Sequence, residues 1–413
     1  MKIVTLKPEQ FDKFSKKQKY RNYHQTVEYA NLMIKFGFSA HFLGFVNEYN
    51  KVFGATLILY KEVFMSNKIA YAPRGFLLDY DDPNMLLELA DKLKKLLGKQ
   101  GFMLLKIDPY ITQTIKDTEG HNININNQAN IYIENLKAAG FEHKPQTFDF
   151  EDEKPRFESL ILLNKSPNDI FNNFTKRTRH KIRKAVNSGI EIIKSPDNDI
   201  TPIYNFIKQK NMKPITYYKR MVSSFKNNLD VYYAKLNTEQ YVLNSKALYE
   251  REMEKNDKLA TDVQNSIDKG KNNTKELNKK MESDKLLNTY KNNLVEATEL
   301  LKKHPEGLII AGAINLNYDN ASFLVIDGFD KNYTNLNATY FLKWQMIIDY
   351  KSKHYKYYNI NGVSGKFEVK HQFSNLNEMK FGFNPIITEY VGEFDIILNN
   401  FSYNIYKGIN KQK

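Results

Sequence analysis

The chain contains no cysteine, which removes disulfides, thiolate metal sites and cysteine nucleophiles together. Its eight histidines are scattered and form no H-x-x-x-H or H-E-x-x-H pair, so the common zinc arrangements are missing. Neither a G-x-x-x-x-G-K-[ST] loop nor a G-x-S-x-G elbow occurs, which excludes the commonest triphosphate cradle and the hydrolase nucleophile turn. The short glycine-rich pyrophosphate loop of acetyl-coenzyme A binders is also absent. Lys269-Gly270-Lys271 does not replace it, because its single glycine sits at the turn between two helical patterns. No run of about 18 apolar residues exists, so nothing is expected to span a bilayer. The opening stretch MKIVTLKPEQFDKF lacks the apolar core of a signal peptide. A cytoplasmic location follows as an expectation, with membrane contact confined to the periphery. An enzyme with this equipment works by positioning and electrostatics, without metal, cofactor or covalent nucleophile.

What the chain does have is length, apolar content and positive charge. At 413 residues it exceeds one ordinary core, and two lobes are expected. Hydrophobic residues make up 41% of it, enough to exclude global disorder. The formal net charge of +14 predicts attraction to nucleic acid, an anionic membrane surface or a phosphate-bearing substrate.

Apolar periodicity divides the chain. His41–Asn47, Gly54–Val63, Lys68–Phe76 and Phe102–Ile107 read as strands, with a helix over Pro83–Leu97 that turns Leu86, Leu87, Ala90, Leu93, Leu96 and Leu97 inward. A similar order returns at Gly307–Leu316, Ser322–Ile326 with a turn at Asp327-Gly328, a helix over Thr339–Lys351, and Tyr355–Ile360. Gly75 and Asp108 are 33 residues apart, as are Gly328 and Asn361. Common αβ unit lengths also give this spacing; taken with the order of elements, it predicts a duplicated α/β lobe. Between the copies, Tyr249, Met253, Asn256, Ala260, Val263 and Ile267, then Leu287, Tyr290, Leu294, Ala297 and Leu301, recur at alternating steps of three and four. This pattern predicts two helices folded into an antiparallel coiled-coil arm. The expected domains are residues 1–150, then 151–237 with 305–413, and an arm at 238–304.

The densest basic run, Lys176, Arg177, Arg179, Lys181, Arg183 and Lys184, reads as a helix with Phe174, Ile182 and Val186 inward. It can grip phosphates, although such a run is often only a solvated face. Lys380 stands between Met379 and Phe381, a setting that can bury a cation beside a reacting carbonyl or leave it on a strand edge. Asp108 ends a strand before Pro109, as a catalytic carboxylate or a turn former would.

At these motifs the sequence resembles the FemABX family of non-ribosomal peptidyltransferases. The stretches that carry the resemblance are YHQTVEYA at Tyr23–Ala30, YAPRGFLLDY at Tyr71–Tyr80, LKIDPYI at Leu105–Ile111, RTRHKIRKAVNSGIEI at Arg177–Ile192, YYNINGVSGKF at Tyr357–Phe367 and MKFGFNPIITEYVGEFD at Met379–Asp395. The resemblance implies two acetyltransferase-like (GNAT-like) lobes with an inserted helical arm. It also implies aminoacyl-tRNA as donor and co-substrate, and a lipid-linked or nucleotide-linked peptidoglycan precursor as acceptor. Peripheral contact with the inner membrane surface and a homologous transferase as partner are further implications. Lys380 falls at the family's lysine near the transferring carbonyl, and Lys213 at a cation for acceptor phosphate. Arg74, Asp108, Phe381 and Gly328 fall at the substrate site, and the basic run falls to the tRNA. This chain departs from the first-residue-adding members at Met33, where they have lysine, and from the family pattern at Lys213, where an arginine is expected, and at Leu324 and Ile326, where aromatics are expected. It looks closer to bridge-extending members, or to relatives that modify the bridge against a cell-wall hydrolase. Two other readings are a basic RNA- or membrane-surface-binding protein without catalysis, and a conventional coenzyme A acetyltransferase. Without the pyrophosphate loop, a thermal-shift titration with acetyl-coenzyme A is expected to leave the melting temperature unchanged; a saturating rise would restore the last reading.

Overall fold

A computed structural model describes residues 1–64, 66–209, 213–270, 272–368 and 370–410; Lys271 of the arm's turn lies outside them. Strands β1 (Lys2–Thr5), β2 (Ser39–Val46), β3 (Val52–Phe64), β4 (Asn67–Ala72) and β5 (Phe102–Ile107) follow one another across a first sheet. All neighbours are antiparallel except β4 and β5, which the helix Pro83–Lys99 joins by a crossover. That helix starts sharply. Asp82 accepts bonds from the Asn84 and Met85 amides, and Pro83 occupies the first turn, where its missing N–H costs nothing. Leu86, Leu89, Ala90, Leu93 and Leu97 are buried beneath it, whereas Leu87, expected inward, is 48% exposed.

The chain then leaves this sheet. β6 (Thr112–Lys116) and β7 (Asn122–Ile125) join the far edge of a second sheet, and β8 (Glu142–His143) returns to the first. β9 (Phe157–Leu162), β10 (Ile190–Lys194), β11 (Leu229–Leu236), β12 (Leu308–Tyr318), β13 (Ala321–Phe329), β14 (Tyr357–Val363) and β15 (Ile386–Tyr390) build the second sheet. Its order is β10-β11-β12-β13-β14-β9-β15-β6-β7. β16 (Phe394–Ile397) crosses back and lies between β5 and β8. The boundary expected at residue 150 is therefore crossed in both directions. Alternation along a strand reports which face is buried, not which of two sheets satisfies its backbone groups.

The duplicated unit is present in both sheets. β13 and β14 run parallel across the helix Ala338–Ser352, as β4 and β5 do across theirs. They pair only over Ala321–Phe323 and Tyr357–Asn359 and then diverge. The two lobes are GNAT-like α/β units. Asp327 and Gly328 do not form the expected turn: β13 continues through them, pairing Asp327 with Ala313 and Gly328 with Gly312. Buried Asp327 is paired with the wholly buried Lys343 of the crossover helix. In the helix Lys176–Asn187 the buried positions are Thr178, Ile182 and Ala185, while Val186 is turned out at 46% exposure.

The helices Thr238–Asp268 and Thr274–Lys303 pack against each other as a hairpin. Their seam is polar. Asn256 donates to Ser283 at 3.2 Å and Asp284 at 2.8 Å, and Ser283 donates to Glu252 at 2.6 Å. Tyr249 and Val263 lie half-buried and Asn256 buried, as their spacing predicts, but Glu252 takes the place expected for Met253.

Gly328 is needed for close approach. A Cβ there would stand 2.6 Å from the carbonyl carbon of Phe206 and 2.8 Å from the amide of Ile207, backbone atoms that cannot rotate away. Gly328→Ala is expected to cost about 3 kcal/mol by overpacking, read as a lowered denaturant midpoint.

Candidate active site between the lobes

Arg74 follows β4 in a left-handed turn and Asp108 follows β5, so the parallel pair ends with both side by side. The Asp108 carboxylate accepts from the Arg74 amide at 2.6 Å and the Tyr71 hydroxyl at 2.9 Å, and the Arg74 guanidinium lies 3.4 Å from it. Arg74 then reaches into the second lobe. It donates to Glu158 on β9 at 2.8 Å and to the Pro155 carbonyl at 2.9 Å, and lies over the Tyr390 ring. Glu158 also accepts from Asn359 at 2.7 Å and Tyr390 at 3.1 Å, and Tyr390 stacks on Tyr110. Arg74 and Asp108 are each only 2% exposed. Burial pushes the Asp108 carboxyl upward, with the Arg74 charge opposing it.

Glu158 is the register partner of Gly362 on β14, and Gly362 carries the next group. Lys380, in the helix Ser374–Phe381, is 6% exposed and donates from Nζ to the Gly362 carbonyl at 2.6 Å. It thus stands at the diverging end of β14 rather than on a strand edge. Beside its helix lies a cavity of about 420 Å³, lined by Thr175, Arg177, Thr178, Lys181, Tyr340 and Phe381 among others. A second cavity of about 220 Å³ shares Lys181 and Tyr340 with it and reaches Asp327. The Lys181 ammonium donates to the Tyr340 hydroxyl at 2.8 Å and forms the partition between them.

The basic run is therefore not one uniform patch. Arg177 and Lys181 face the cavity, with Arg177 paired to Glu378. Arg179 turns back on the Asn172 and Phe174 carbonyls, and Arg183 lies over Phe171. Lys176 and Lys184 are exposed. Gly328 lies under the Phe206 and Ile207 backbone.

On the first-lobe side of this network His24 is buried and held well below its ordinary pKa, first by burial and then by Lys154, Arg74 and Lys213. Lys154 lies 6.0 Å from the Tyr29 ring centre, and its pKa is also lowered by burial. Lys213 lies 4.0 Å over Tyr217. The residue is open to solvent, yet protein crowding, helped by Lys154, brings its ammonium down to about 8. Met33 is half-buried in the apolar cluster that includes Tyr29 and Tyr217, Leu324 is 5% exposed, and Ile326 packs on the same cluster.

Sequence reasoning did not single out Glu158, Asn359, Tyr390, Tyr110 or Lys154. Tyr110, Asn359 and Tyr390 lie inside stretches that carry the family resemblance. Glu158 had a weaker signal, a lone carboxylate in the apolar strand FESLIL. Among the described residues no group of three or more His, Cys, Asp or Glu side chains could hold a metal ion.

Two α/β lobes thus meet at a buried charged network. A model of the FemAB family matches residues 6–411. The aminoacyltransferase FemA of Staphylococcus epidermidis is 26% identical over 436 aligned positions that span all of both chains. FemA of Staphylococcus aureus is 25% identical over 420, covering all of this chain and 99% of its own. The crystal structure of FemX shares the fold, with a TM-score of 0.73 over 98% of this chain and 99% of that one at 19% identity. The chain belongs to the FemAB family and is an acyltransferase.

The lowered pKa of Lys213 has a direct chemical readout, because only the neutral amine is acylated. Labelling with an N-hydroxysuccinimide ester, followed by peptide mass spectrometry across pH, should give Lys213 a midpoint near 8. In the unfolded chain the lysines should titrate near the ordinary value of about 10.4. A Lys213 profile matching theirs would refute the crowding.

Proposed function

We propose that this acyltransferase moves an amino acid from aminoacyl-tRNA to an amine of a peptidoglycan precursor, on the stem peptide or the growing cross-bridge. The observation that carries the reading is the juxtaposition at Gly362. One neighbour is the buried Lys380 ammonium; the other is Glu158, fastened to Arg74 of the opposite lobe. A fixed cation and a fixed carboxylate thus flank one strand end where the lobes meet.

The chemistry fits these groups. The acceptor amine attacks the ester carbonyl at the tRNA 3′ end, a C–N bond forms, and the carbonyl oxygen gains negative charge. The C–O bond to the ribose then breaks, and the proton lost by the amine is taken up by the departing ribose oxygen, directly or through the neighbouring hydroxyl. Lys380 stabilises the oxyanion in a dry setting where one donor counts heavily. Buried Arg74 and Glu158 hold the geometry, bonded to each other and to the Pro155 carbonyl, Asn359 and Tyr390, and Asp108 braces the Arg74 backbone. Arg177 and Lys181 at the larger cavity serve the donor's phosphates, and exposed Lys176 and Lys184 extend that grip along the tRNA. Lys213 meets acceptor phosphate as a point charge, less directional than the family's arginine. No cofactor enters this scheme beyond aminoacyl-tRNA as co-substrate.

Among the described residues no helix is long and apolar enough to cross a membrane, which is compatible with peripheral contact when the acceptor is lipid-linked. The departures at Met33, Lys213, Leu324 and Ile326 favour a bridge-extending role, or the related modification against a cell-wall hydrolase, over addition of the first residue.

Incubation with charged tRNA and lipid-linked precursor should yield an extended peptide. Lys380→Met, which keeps length and apolar contact, should lower kcat by about 100-fold or more while circular dichroism stays unchanged. Transfer at the wild-type rate by that variant would remove Lys380 from the mechanism, and absence of product with every aminoacyl-tRNA would remove the donor assignment.

A further inference from the structure

Gln25 stands just before the helix Val27–Ile34, in the loop that also carries Tyr23 and His24, and it is fully buried. Its side-chain amide serves the backbone of other elements. Oε1 accepts from the Leu57 amide at 2.7 Å, and Nε2 donates to the Leu57 carbonyl at 3.1 Å and to the Pro73 carbonyl at 2.8 Å. The Thr56 hydroxyl adds a long bond to Oε1 at 3.4 Å. A primary amide offers two hydrogens and one acceptor oxygen, and here all are engaged.

β3 shows why an amide is needed at that point. Leu59, Leu57 and Ala55 present their backbone groups to the same edge, because alternate residues of a strand do so. Leu59 is in register with Tyr71 of β4, and Ala55 exchanges backbone bonds with Leu77 at 3.0 and 2.9 Å. Continued in register, Leu57 would face Pro73, which has no N–H to give. The Gln25 amide is inserted there instead. It meets Leu57 as a neighbouring strand would, and its second hydrogen holds the Pro73 carbonyl. From Leu59 to Ala55 is four steps, from Tyr71 to Leu77 six, so two residues are looped out, and the loop contains Arg74. Gly75 packs directly on the insert: a Cβ there would stand 2.9 Å from the Thr56 hydroxyl and 3.0 Å from Gln25 Nε2.

We infer that Gln25 is the positioning residue for Arg74: its amide sets how far the turn at Pro73–Gly75 stands off β3, and so where the guanidinium meets Glu158. Leu57 and Pro73 are buried, and their carbonyls need donors that no apolar side chain supplies. From Arg74 the constraint passes through the ion pair to Glu158, and across the register pair to Gly362, whose carbonyl receives the Lys380 ammonium. Gln25 also follows His24, whose amide and ring nitrogen are both bound by Asn22 Oδ1 at 3.1 and 2.8 Å. The first-lobe loop beside the network and the turn that bears Arg74 therefore share one anchor. The consequence for transfer rests on the reaction proposed above; the consequence for Arg74 does not.

Two substitutions test this. Gln25→Glu keeps the shape and can accept from the Leu57 amide, but it cannot donate to both carbonyls; Gln25→Met keeps only the length. Phenylglyoxal modifies accessible guanidinium groups, and peptide mass spectrometry then reads Arg74 separately from Arg156. Arg156 is equally buried and is held by Glu151 and Glu389, which makes it the internal control. Both arginines should resist the reagent in the unsubstituted protein. In each variant Arg74 should react at least about tenfold faster through local opening, while Arg156 stays protected and circular dichroism is unchanged. In the transfer assay Gln25→Glu should lower kcat by about 100-fold, the scale of a misplacement near 1 Å, with KM for either substrate moved by less than about threefold. Arg74 protected in both variants, Arg74 and Arg156 becoming reactive together, or full kcat with Arg74 freed would each overturn the proposal. If the unsubstituted protein transfers nothing, the reaction falls, and the labelling still decides the role of Gln25.

Discussion

The ion pair between Arg74 and Glu158 is the constraint on which the interlobe site depends. Neither charge tolerates burial alone, because an unpaired ion in the interior costs several kcal/mol. The pair is stable only while Asp108, the Pro155 carbonyl, Asn359 and Tyr390 satisfy the remaining donors and acceptors. Arg74 comes from the first lobe, while Glu158, Asn359 and Tyr390 come from the second. The network therefore forms only when both lobes are docked, and docking brings β14's diverging end and Lys380 alongside it. Structural cost and site geometry are one arrangement.

Much of the fold could be read from the sequence, for reasons that differ by element. The strand Phe102–Ile107 was expected at its observed bounds because it is a short apolar run closed by glycine and proline. The crossover helices were expected because their apolar faces recur at helical spacing. What escaped was nonlocal. The sheet membership of Thr112–Lys116 and Phe394–Ile397 depends on which backbone edge each strand satisfies, and strand alternation carries no record of that. In the arm, Met253 looked like a seam residue, yet Glu252 occupies the seam because Ser283 supplies it with a hydrogen bond. A partner on another helix decided between adjacent positions.

The site was legible in its parts and not in their assembly. Lys380 and Asp108 were picked out by local setting and by resemblance, and both are buried. Arg74 was expected at the substrate site, and the structure buries it with its guanidinium engaged by Asp108, Glu158 and the Pro155 carbonyl. Gly328 was expected at a turn near substrate, and it is where β13 passes beneath the helix Thr201–Ile207. Glu158, the residue that links Lys380 to Arg74, carries no motif of its own. A single carboxylate in an apolar strand becomes meaningful only once the partner that neutralises it is known. The basic run shows the converse. Composition marked it as one patch, whereas the helix distributes its cations among a cavity wall, a carbonyl cap and open solvent.

The exchange of strands between sheets limits how such a molecule can move and change. Because β6 and β7 extend one sheet while β16 is inserted into the other, the chain is laced through both lobes. Opening them as rigid shells about a hinge would strip edge hydrogen bonds from each. Acceptors of differing bulk must accordingly be admitted by rearranging side chains and connecting loops at the rim. For the same reason neither half is a module that recombination could graft onto another protein and leave intact.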